Sequence, residues 1–500
     1  MPEVFKNLIN GEWVESKSGK TFENRNPADT NDLVGTFQLS TTDDVDAAVA
    51  AAKAAYPAWR DTPAPERAEI MYRVAQIMRE RKEEISQLMT REMGKVIAET
   101  RGDMQEGIDT ADFAAGEGRR MHGQTVPSEL RNKAAYVIHR PMGVWGLITP
   151  WNFPMAIPTW KTFPAITTGN TIVIKPATDT PACTAKLMEI LDEAGVPKGV
   201  INYVTGSGRV VGEHLINHPD IKGISFTGSS DVGKRIAEAT GKTLKRCSLE
   251  LGGKNGQIVM NDAKLDLAID GALWGAFGTT GQRCTATSRI IVQEGVHDEF
   301  VAELAKRAKA LKVGNGLDES VQMGPLVSEA QLKTVESYVK IGIEEGAELI
   351  AGGHRLTGGD FDKGWFHEPT IFDKVKSNMR IAQEEIFGPV LSIITVKDLD
   401  EAISVLNGTI YGLSSSIYTQ DVNNAMRAIE RIEAGITYVN GPTIGAECHM
   451  PFGGVKETGN GHREGGWTAY EIFTELKTVY IDYSGKLQRA QIDNYPQDQK

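Results

Sequence analysis

From residue 144 onward, short apolar runs alternate with helix-length stretches. The runs VWGLI (144–148), TIVIK (171–175), VINYVT (200–205) and IKGISF (221–226) read as strands, and segments such as 181–194 between them read as helices. Alternating β and α elements at a spacing of about 20 to 30 residues predict a parallel, doubly wound sheet, which binds ligands at the carboxyl ends of its strands. A second alternation starts near GQIVM (256–260), continues through a helix at 265–276 and the strand RIIVQ (289–293), and ends near AGITYVN (434–440). It predicts a second α/β domain.

Residues 43–117 follow a helical pattern instead. DDVDAAVAAAKAAYPAW (43–59) opens with acidic residues suited to a helix N-terminus, and Pro63 and Pro65 separate it from the next helix. Two strand-like pieces, NKAAYVIHRP (132–141) and FTELKTVYID (473–482), lie outside both alternations. Such strands either pair with another copy of the chain, giving a homo-oligomer, or edge one of the chain's own sheets. The expected organisation is a dinucleotide-binding domain from 1–120 and 142–252, a catalytic domain from 253–468, oligomerisation strands at 121–141 and 469–490, and a peripheral tail at 491–500.

Composition narrows the classes. Five hundred residues suffice for two or three domains. The formal net charge is −12 and basic residues are dispersed, which excludes the positive footprint of a nucleic-acid binder. Cys183, Cys247, Cys284 and Cys448 show no CxxC spacing, so neither structural zinc nor a disulfide framework is expected and no metal is assigned. No basic leader precedes an apolar stretch, and no run of about 18 apolar residues occurs, so a soluble, cytoplasmic protein without membrane partners is expected.

The candidate chemistry lies in loops. Cys284 sits in FGTTGQRCTATSR (277–289), where Gly281 frees the backbone and Arg283 and Arg289 are expected to favour the thiolate. It is either a nucleophile or a buried small hydrophobe, as Cys183, Cys247 and Cys448 are expected to be. Glu250, in SLELGGKN, ends an apolar strand, where desolvation raises a carboxyl pKa and makes a usable general base. A strand-end residue capping nearby N–H groups is the alternative. In TPWNFP (149–154), prolines fix the backbone around Trp151 and Asn152, whose amide is suited to stabilising an oxyanion, or which simply belongs to a packed turn. GSGRVVG (206–212) misses the dinucleotide fingerprint, and GSSDVGKR (228–235) has Arg235 where a P-loop needs Ser or Thr. The latter still offers Gly228, Ser229 and a helix N-terminus to an anion such as a pyrophosphate.

Together, TPWNFP, KPA (175–177), FTGSSDVGK, LELGGKN, GQRC, EEIFGPV (384–390) and PFGGVK (451–456) resemble the aldehyde dehydrogenase superfamily over nearly the whole chain. The resemblance implies a Rossmann-like cofactor domain, a second α/β catalytic domain bearing the thiol, and a β oligomerisation flap, assembled as a homodimer or homotetramer. It implies that an aldehyde is oxidised to a carboxylic acid with NADP or NAD as cofactor. Cys284 matches the nucleophile, Glu250 the base that activates water, and Asn152 the oxyanion donor, with Lys161 and Glu464 at positions linked to proton relay. Cofactor positions fall on Ile148, Trp151, Asn152, Lys175, Thr178, Gly208, Gly228, Ser229, Leu251, Glu385 and Phe387. Thr178 stands where many NAD-dependent relatives carry a ribose-binding glutamate; a threonine there, with Arg209 nearby, predicts that NADP⁺ is accepted. A CoA-acylating enzyme, a non-redox cysteine acyltransferase or hydrolase, and a non-catalytic scaffold are the rival readings. The C-terminal segments are similar to those of relatives acting on semialdehydes such as 2-oxoglutarate semialdehyde, and Arg283 could meet a remote carboxylate, tune the thiol or face solvent.

Overall fold

The computed structural model describes residues 3–493. Parallel strands covered on both faces must be apolar throughout, and the first sheet is built of such strands. Its order is Arg246–Glu250, Ile221–Thr227, Val144–Ile148, Thr171–Lys175, Ile201–Tyr203, all parallel. Every residue of Val144–Ile148 and Thr171–Lys175 is buried. Three strands are laid outward from Val144–Ile148, and the chain then returns to add two on its other flank. The direction reverses between Val144–Ile148 and Ile221–Thr227, so the loops leaving these two strands diverge and open a crevice.

The extended N-terminus contributes two antiparallel strands, Asn7–Ile9 and Glu12–Val14, beyond Ile201–Tyr203. Helices Thr42–Asp61, Ala64–Glu80, Lys82–Met93 and Ile97–Glu117 follow. The first starts with a capping box in which Asp44 Oδ2 accepts from the Thr41 N–H at 2.8 Å. Pro63 and Pro65 open the second helix, where an absent N–H costs nothing. Trp145, fully buried, meets Phe473 edge-on with ring centroids 4.5 Å apart. Truncating such a side chain to alanine costs about 3–5 kcal/mol.

The second sheet runs Glu348–Ala351, Thr370–Asp373, Val390–Val396, Thr287–Gln293, Asn255–Val259, Ser414–Tyr418, Ile436–Val439, with only the first strand antiparallel. The linker Leu251–Lys254 carries the chain directly from the end of one sheet to the start of the other, so Glu250 lies on the seam.

The two stray strands, Lys133–Pro141 and Thr474–Asp482, pair with each other in antiparallel register and with Gln124–Pro127. They form a separate sheet and join neither α/β sheet. The helix Thr468–Ile472 and Phe473, expected to belong with these strands, depart from that reading: Ile472 and Phe473 pack in the core of the first sheet. The segment after Ile436–Val439 also crosses between units. Val455–Lys456 pairs with Tyr411–Gly412, Gly459 bridges Glu250, and Glu457 binds Lys234 at 2.6 Å. Of the expected tail, residues 490–493 form a short helix and 494–500 lie outside the described residues.

Candidate active site

The nucleophile loop is held in an unfavourable backbone. After helix Leu265–Phe277, Thr279 and Thr280 adopt φ of 54° and 58°, followed by Gly281 at 69°. Left-handed φ in β-branched residues costs on the order of 1–3 kcal/mol each and persists only where the surroundings enforce it. Glu99, on helix Ile97–Glu117, accepts from the Thr279 N–H at 2.7 Å and from Arg283 at 3.1 Å. Thr280 Oγ1 donates to the Gly324 carbonyl at 3.0 Å, and Gln282 Oε1 accepts from the Val327 N–H at 2.9 Å. At Gly281 a Cβ would stand 2.2 Å from the Gly388 carbonyl oxygen, so only glycine fits. The loop delivers Cys284, whose own carbonyl accepts from Asn255 Nδ2 at 2.8 Å.

The two arginines do not serve the thiol as expected. Arg283 Nε and one Nη bind Thr279 and Glu99, and its guanidinium lies over Phe153 and Trp274. Arg289 is buried and donates to the carbonyls of Lys254, Val405 and Leu406. With no cation beside it, the thiol is pushed up to about 12 by burial first and then by Glu385 and Glu250. Nor is Cys284 exposed; it is half-buried against Trp160, Leu413 and Phe452. Among the other cysteines only Cys183 is fully buried, while Cys247 and Cys448 are half-buried.

Asn152 is buried, and its Nδ2 donates to the Gln282 carbonyl at 3.1 Å, two residues before the nucleophile. One amide hydrogen thus orients the side chain and leaves the other for a ligand. Glu250 caps nothing with its side chain. Both carboxyl oxygens are buried without a hydrogen-bond partner, and burial, reinforced by Glu464, holds the group well above the usual carboxylate range. Beside it, buried Lys161 donates to Ser225 Oγ at 2.9 Å and pairs with buried Glu464.

Cys284 lies where two chambers meet. One, about 690 Å³ of open space, sits in the crevice at the reversal of the first sheet and is lined by Trp151, Asn152, Gly228, Ser229, Leu251, Glu385 and Phe387. Ser229 is the N-cap of helix Ser230–Gly241 and makes no side-chain capping bond, so the hydroxyl and helix N-terminus stay available to an anion. Trp151 and Phe387 meet edge to face at 5.2 Å. Glu385 Oε1 accepts from the Gly253 N–H at 2.9 Å, and a Cβ on Gly252 would lie 2.5 Å from Oε2. Burial pushes this carboxyl up to about 7. The open wall, free helix end and glycine-backed carboxyl fit a dinucleotide.

Ile148, Lys175, Thr178 and Gly208 do not line this chamber. They lie further along the same strand ends: Ile148 and Lys175 close their strands, and Gly208 opens the turn Gly208–Gly212, where a Cβ on Gly212 would approach Lys175 Cδ to 3.8 Å. Thr178 and Arg209 are both exposed. Gln331 escaped the sequence reading: it lines the chamber and donates to the carbonyls of Ile386 and Phe387 at 3.0 and 2.8 Å. Phe387, with φ 57°, needs such support.

The second chamber, about 710 Å³ of open space, is lined by Phe153, Trp160, Leu413 and Phe452, with Glu250 and Glu464 on one side and Glu106 and Arg283 among its polar groups. Of these, only Glu250, Glu464 and Arg283 were marked by sequence. Among the described residues no group of three or more His, Cys, Asp or Glu is placed to hold a metal, and no helix is long and apolar enough to cross a membrane.

Residues 13–479 match the family model described as the aldehyde dehydrogenase family. The alpha-ketoglutaric semialdehyde dehydrogenase of Bacillus subtilis is 46% identical over 96% of this chain and 98% of its own length. The 2,5-dioxopentanoate dehydrogenase of Saccharolobus solfataricus is 43% identical over 94% and 97%. A solved structure of betaine aldehyde dehydrogenase from Staphylococcus aureus in complex with NAD+ superposes with a TM-score of 0.94 at 34% identity, covering 96% of each chain. A thiol and an unpartnered carboxyl at the meeting of two chambers thus sit on the matching fold, and the chain belongs to the aldehyde dehydrogenase family, enzymes that oxidise aldehydes.

Proposed function

We propose that this enzyme oxidises the semialdehyde of an α-keto acid, 2-oxoglutarate semialdehyde or a close analogue, to the dicarboxylic acid through Cys284, with NADP⁺ or NAD⁺ held in the glycine-backed chamber. The observation that carries the chemistry is Cys284 at the junction of the chambers with Glu250 unpartnered behind it. Cys284 Sγ gives up its proton to Glu250 and bonds to the aldehyde carbon, while the carbonyl π pair moves to oxygen. The free N–H of Asn152 and the backbone N–H of Cys284 stabilise that oxyanion. Ser229, Glu385 and Phe387 would hold a nicotinamide cofactor in the first chamber, where it would supply the hydride acceptor for the oxidation that leaves a thioester on Cys284. Glu250, cleared of its proton through the adjoining Glu464, Lys161 and Ser225, deprotonates water, which releases the acid and regenerates the thiol sulfur. A carboxyl so placed favours hydrolysis over transfer to CoA.

The semialdehyde reading is supported by the two relatives above, each 43% identical or more and named for such substrates. Acceptance of NADP⁺ rests on Thr178, exposed three residues after Lys175, and on Arg209, exposed in the turn Gly208–Gly212 whose last residue approaches Lys175. The first α/β unit is taken as 1–120 and 142–252 and the second as 253–468. Leu476, Tyr480 and Ile481, exposed on the edge strand of the separate sheet, support a homo-oligomer assembled through it. Four unpaired cysteines accord with a reducing cytoplasm. The test is a panel of aldehydes followed by appearance of reduced nicotinamide. The semialdehyde should show the highest kcat/KM and Cys284→Ala none; a higher kcat/KM for betaine aldehyde overturns the substrate.

A further inference from the structure

The aldehyde chamber contains polar groups that the chemistry above leaves unused. Glu106 Oε1, on helix Ile97–Glu117, is buried with no hydrogen-bond partner and lines the chamber. Trp160 Nε1, on helix Ala156–Thr167, is likewise buried and unpartnered, and Trp160 lines the same chamber. Arg283 lines the chamber and has Nε and one Nη committed to Thr279 and Glu99, which leaves its second Nη uncommitted. An indole N–H and a guanidinium edge can only donate. We propose that Glu106, acting as a protonated carboxyl beside Arg283 and Trp160, forms a hydrogen-bond-donating end of the chamber that selects aldehydes carrying a distal carboxylate. The inference rests on the proposed semialdehyde reading and names the residue that enforces it.

Local charge keeps Glu106 protonated. Asp103 and Asp109 face it from its own helix and disfavour a third negative charge. Lys95 is neutralised by Asp103, with which it forms a fully buried pair at 2.9 Å, and Arg283 by Glu99 at 3.1 Å. Tyr438, from the strand Ile436–Val439, and Cys448 also interact with it, and both are pushed up, which leaves them uncharged at neutral pH; Glu250 and Glu464 line the same chamber. Burial first and then Asp103 push the Glu106 carboxyl up to about 8. Below that pH it donates to an anion; above it, ionised, it repels one. A carboxylate-tailed substrate therefore accepts from three donors, whereas a trimethylammonium tail meets the same three and can accept from none.

The experiment compares 2,5-dioxopentanoate, 5-oxopentanoate, pentanal and betaine aldehyde in the wild type, Glu106→Gln and Glu106→Leu. The amide of Gln keeps a donor, and Leu removes it. In Glu106→Leu, KM for the two carboxylate substrates should rise about tenfold to a hundredfold, the range for a hydrogen bond to a charged group, with kcat within about twofold. Both variants should keep the wild type's thermal unfolding transition, which reports that they fold, and in Glu106→Leu the KM for pentanal should move far less than the KM for 5-oxopentanoate. Glu106→Gln should retain most of the preference and abolish the wild-type rise in KM for 5-oxopentanoate above about pH 8. Preference for 5-oxopentanoate surviving in Glu106→Leu, or betaine aldehyde oxidation lost there, overturns the assignment. If the wild type does not prefer 5-oxopentanoate to pentanal, the substrate reading fails as well; if it reduces no nicotinamide with any aldehyde, the catalytic reading fails.

Discussion

The reactivity of Cys284 without cofactor tests the electrostatics most directly. An ordinary thiol with a pKa near 9 is about one-tenth thiolate at pH 8, whereas one pushed up to about 12 is ionised about once in ten thousand molecules. The thousandfold loss is partly offset because a more basic thiolate is intrinsically more nucleophilic, with a Brønsted coefficient of about 0.4–0.5. Over three pKa units that returns about 20- to 30-fold, so reaction with a small disulfide reagent should be slower than for an ordinary thiol by roughly 30- to 60-fold. Burial is the larger cause, followed by Glu385 and Glu250. A cationic nicotinamide opposes the carboxylate effect; a unit charge about 4 Å away at an effective dielectric near 20 sets a ceiling of ~4 kcal/mol, or about three pKa units. The assay follows modification of the Cys284 peptide by mass spectrometry from pH 7 to 11, with half-buried Cys247 as internal reference. Addition of NAD⁺ or NADP⁺ should accelerate it; the reduced form, with its neutral ring, should not. An apparent pKa below 8 in the cofactor-free enzyme would refute the reasoning and restore a role for a cation near the sulfur.

Glu250→Gln should still give a burst of reduced nicotinamide, slowed because the thiol has lost its proton acceptor, and should then stall because water is no longer activated; stopped-flow absorbance measures it, and an unimpaired steady state places the base elsewhere. Thr178→Glu should lower kcat/KM for NADP⁺ by about tenfold or more, as expected of an added like charge worth ~1.4 kcal/mol, and leave NAD⁺ use intact; an equal loss for both cofactors refutes the placement. Lys95→Met should cost about 3–5 kcal/mol in urea unfolding because it strands buried Asp103, whereas a change within experimental error would show that Asp103 protonates at no expense.

The buried parallel strands were the most legible part of the sequence. Val144–Ile148 and Thr171–Lys175 coincide with their apolar runs because a strand covered on both faces has no polar position to blur its ends. The antiparallel strands Asn7–Ile9, Glu12–Val14 and Glu348–Ala351 at the sheet margins carry no such signal, being only three or four residues long. The stray strands were visible, but their pairing with one another across more than 330 residues was not. In the site, Cys284, Asn152 and Glu250 stand on tight local motifs, and the fold brings Cys284 into one chamber with Glu250 and another with Asn152. Arg283 and Arg289 misled because adjacency in sequence does not fix where a long side chain points; each turns toward carbonyls or a carboxylate that only the fold supplies. Gln331 and Glu106 lie on regular helices, where an isolated polar residue looks like solvated surface.

Helix Ile97–Glu117 reaches three parts of the site from one rigid rod. Glu99 grips the turn before the sulfur, Asp103 accepts from the Ala156 N–H at 2.7 Å at the start of the helix bearing Lys161, and Glu106 lines the second chamber. A jaw-like parting of the two α/β units would have to tear Glu99 from Thr279 and Arg283, so any hinge motion there would disturb the turn that carries the sulfur.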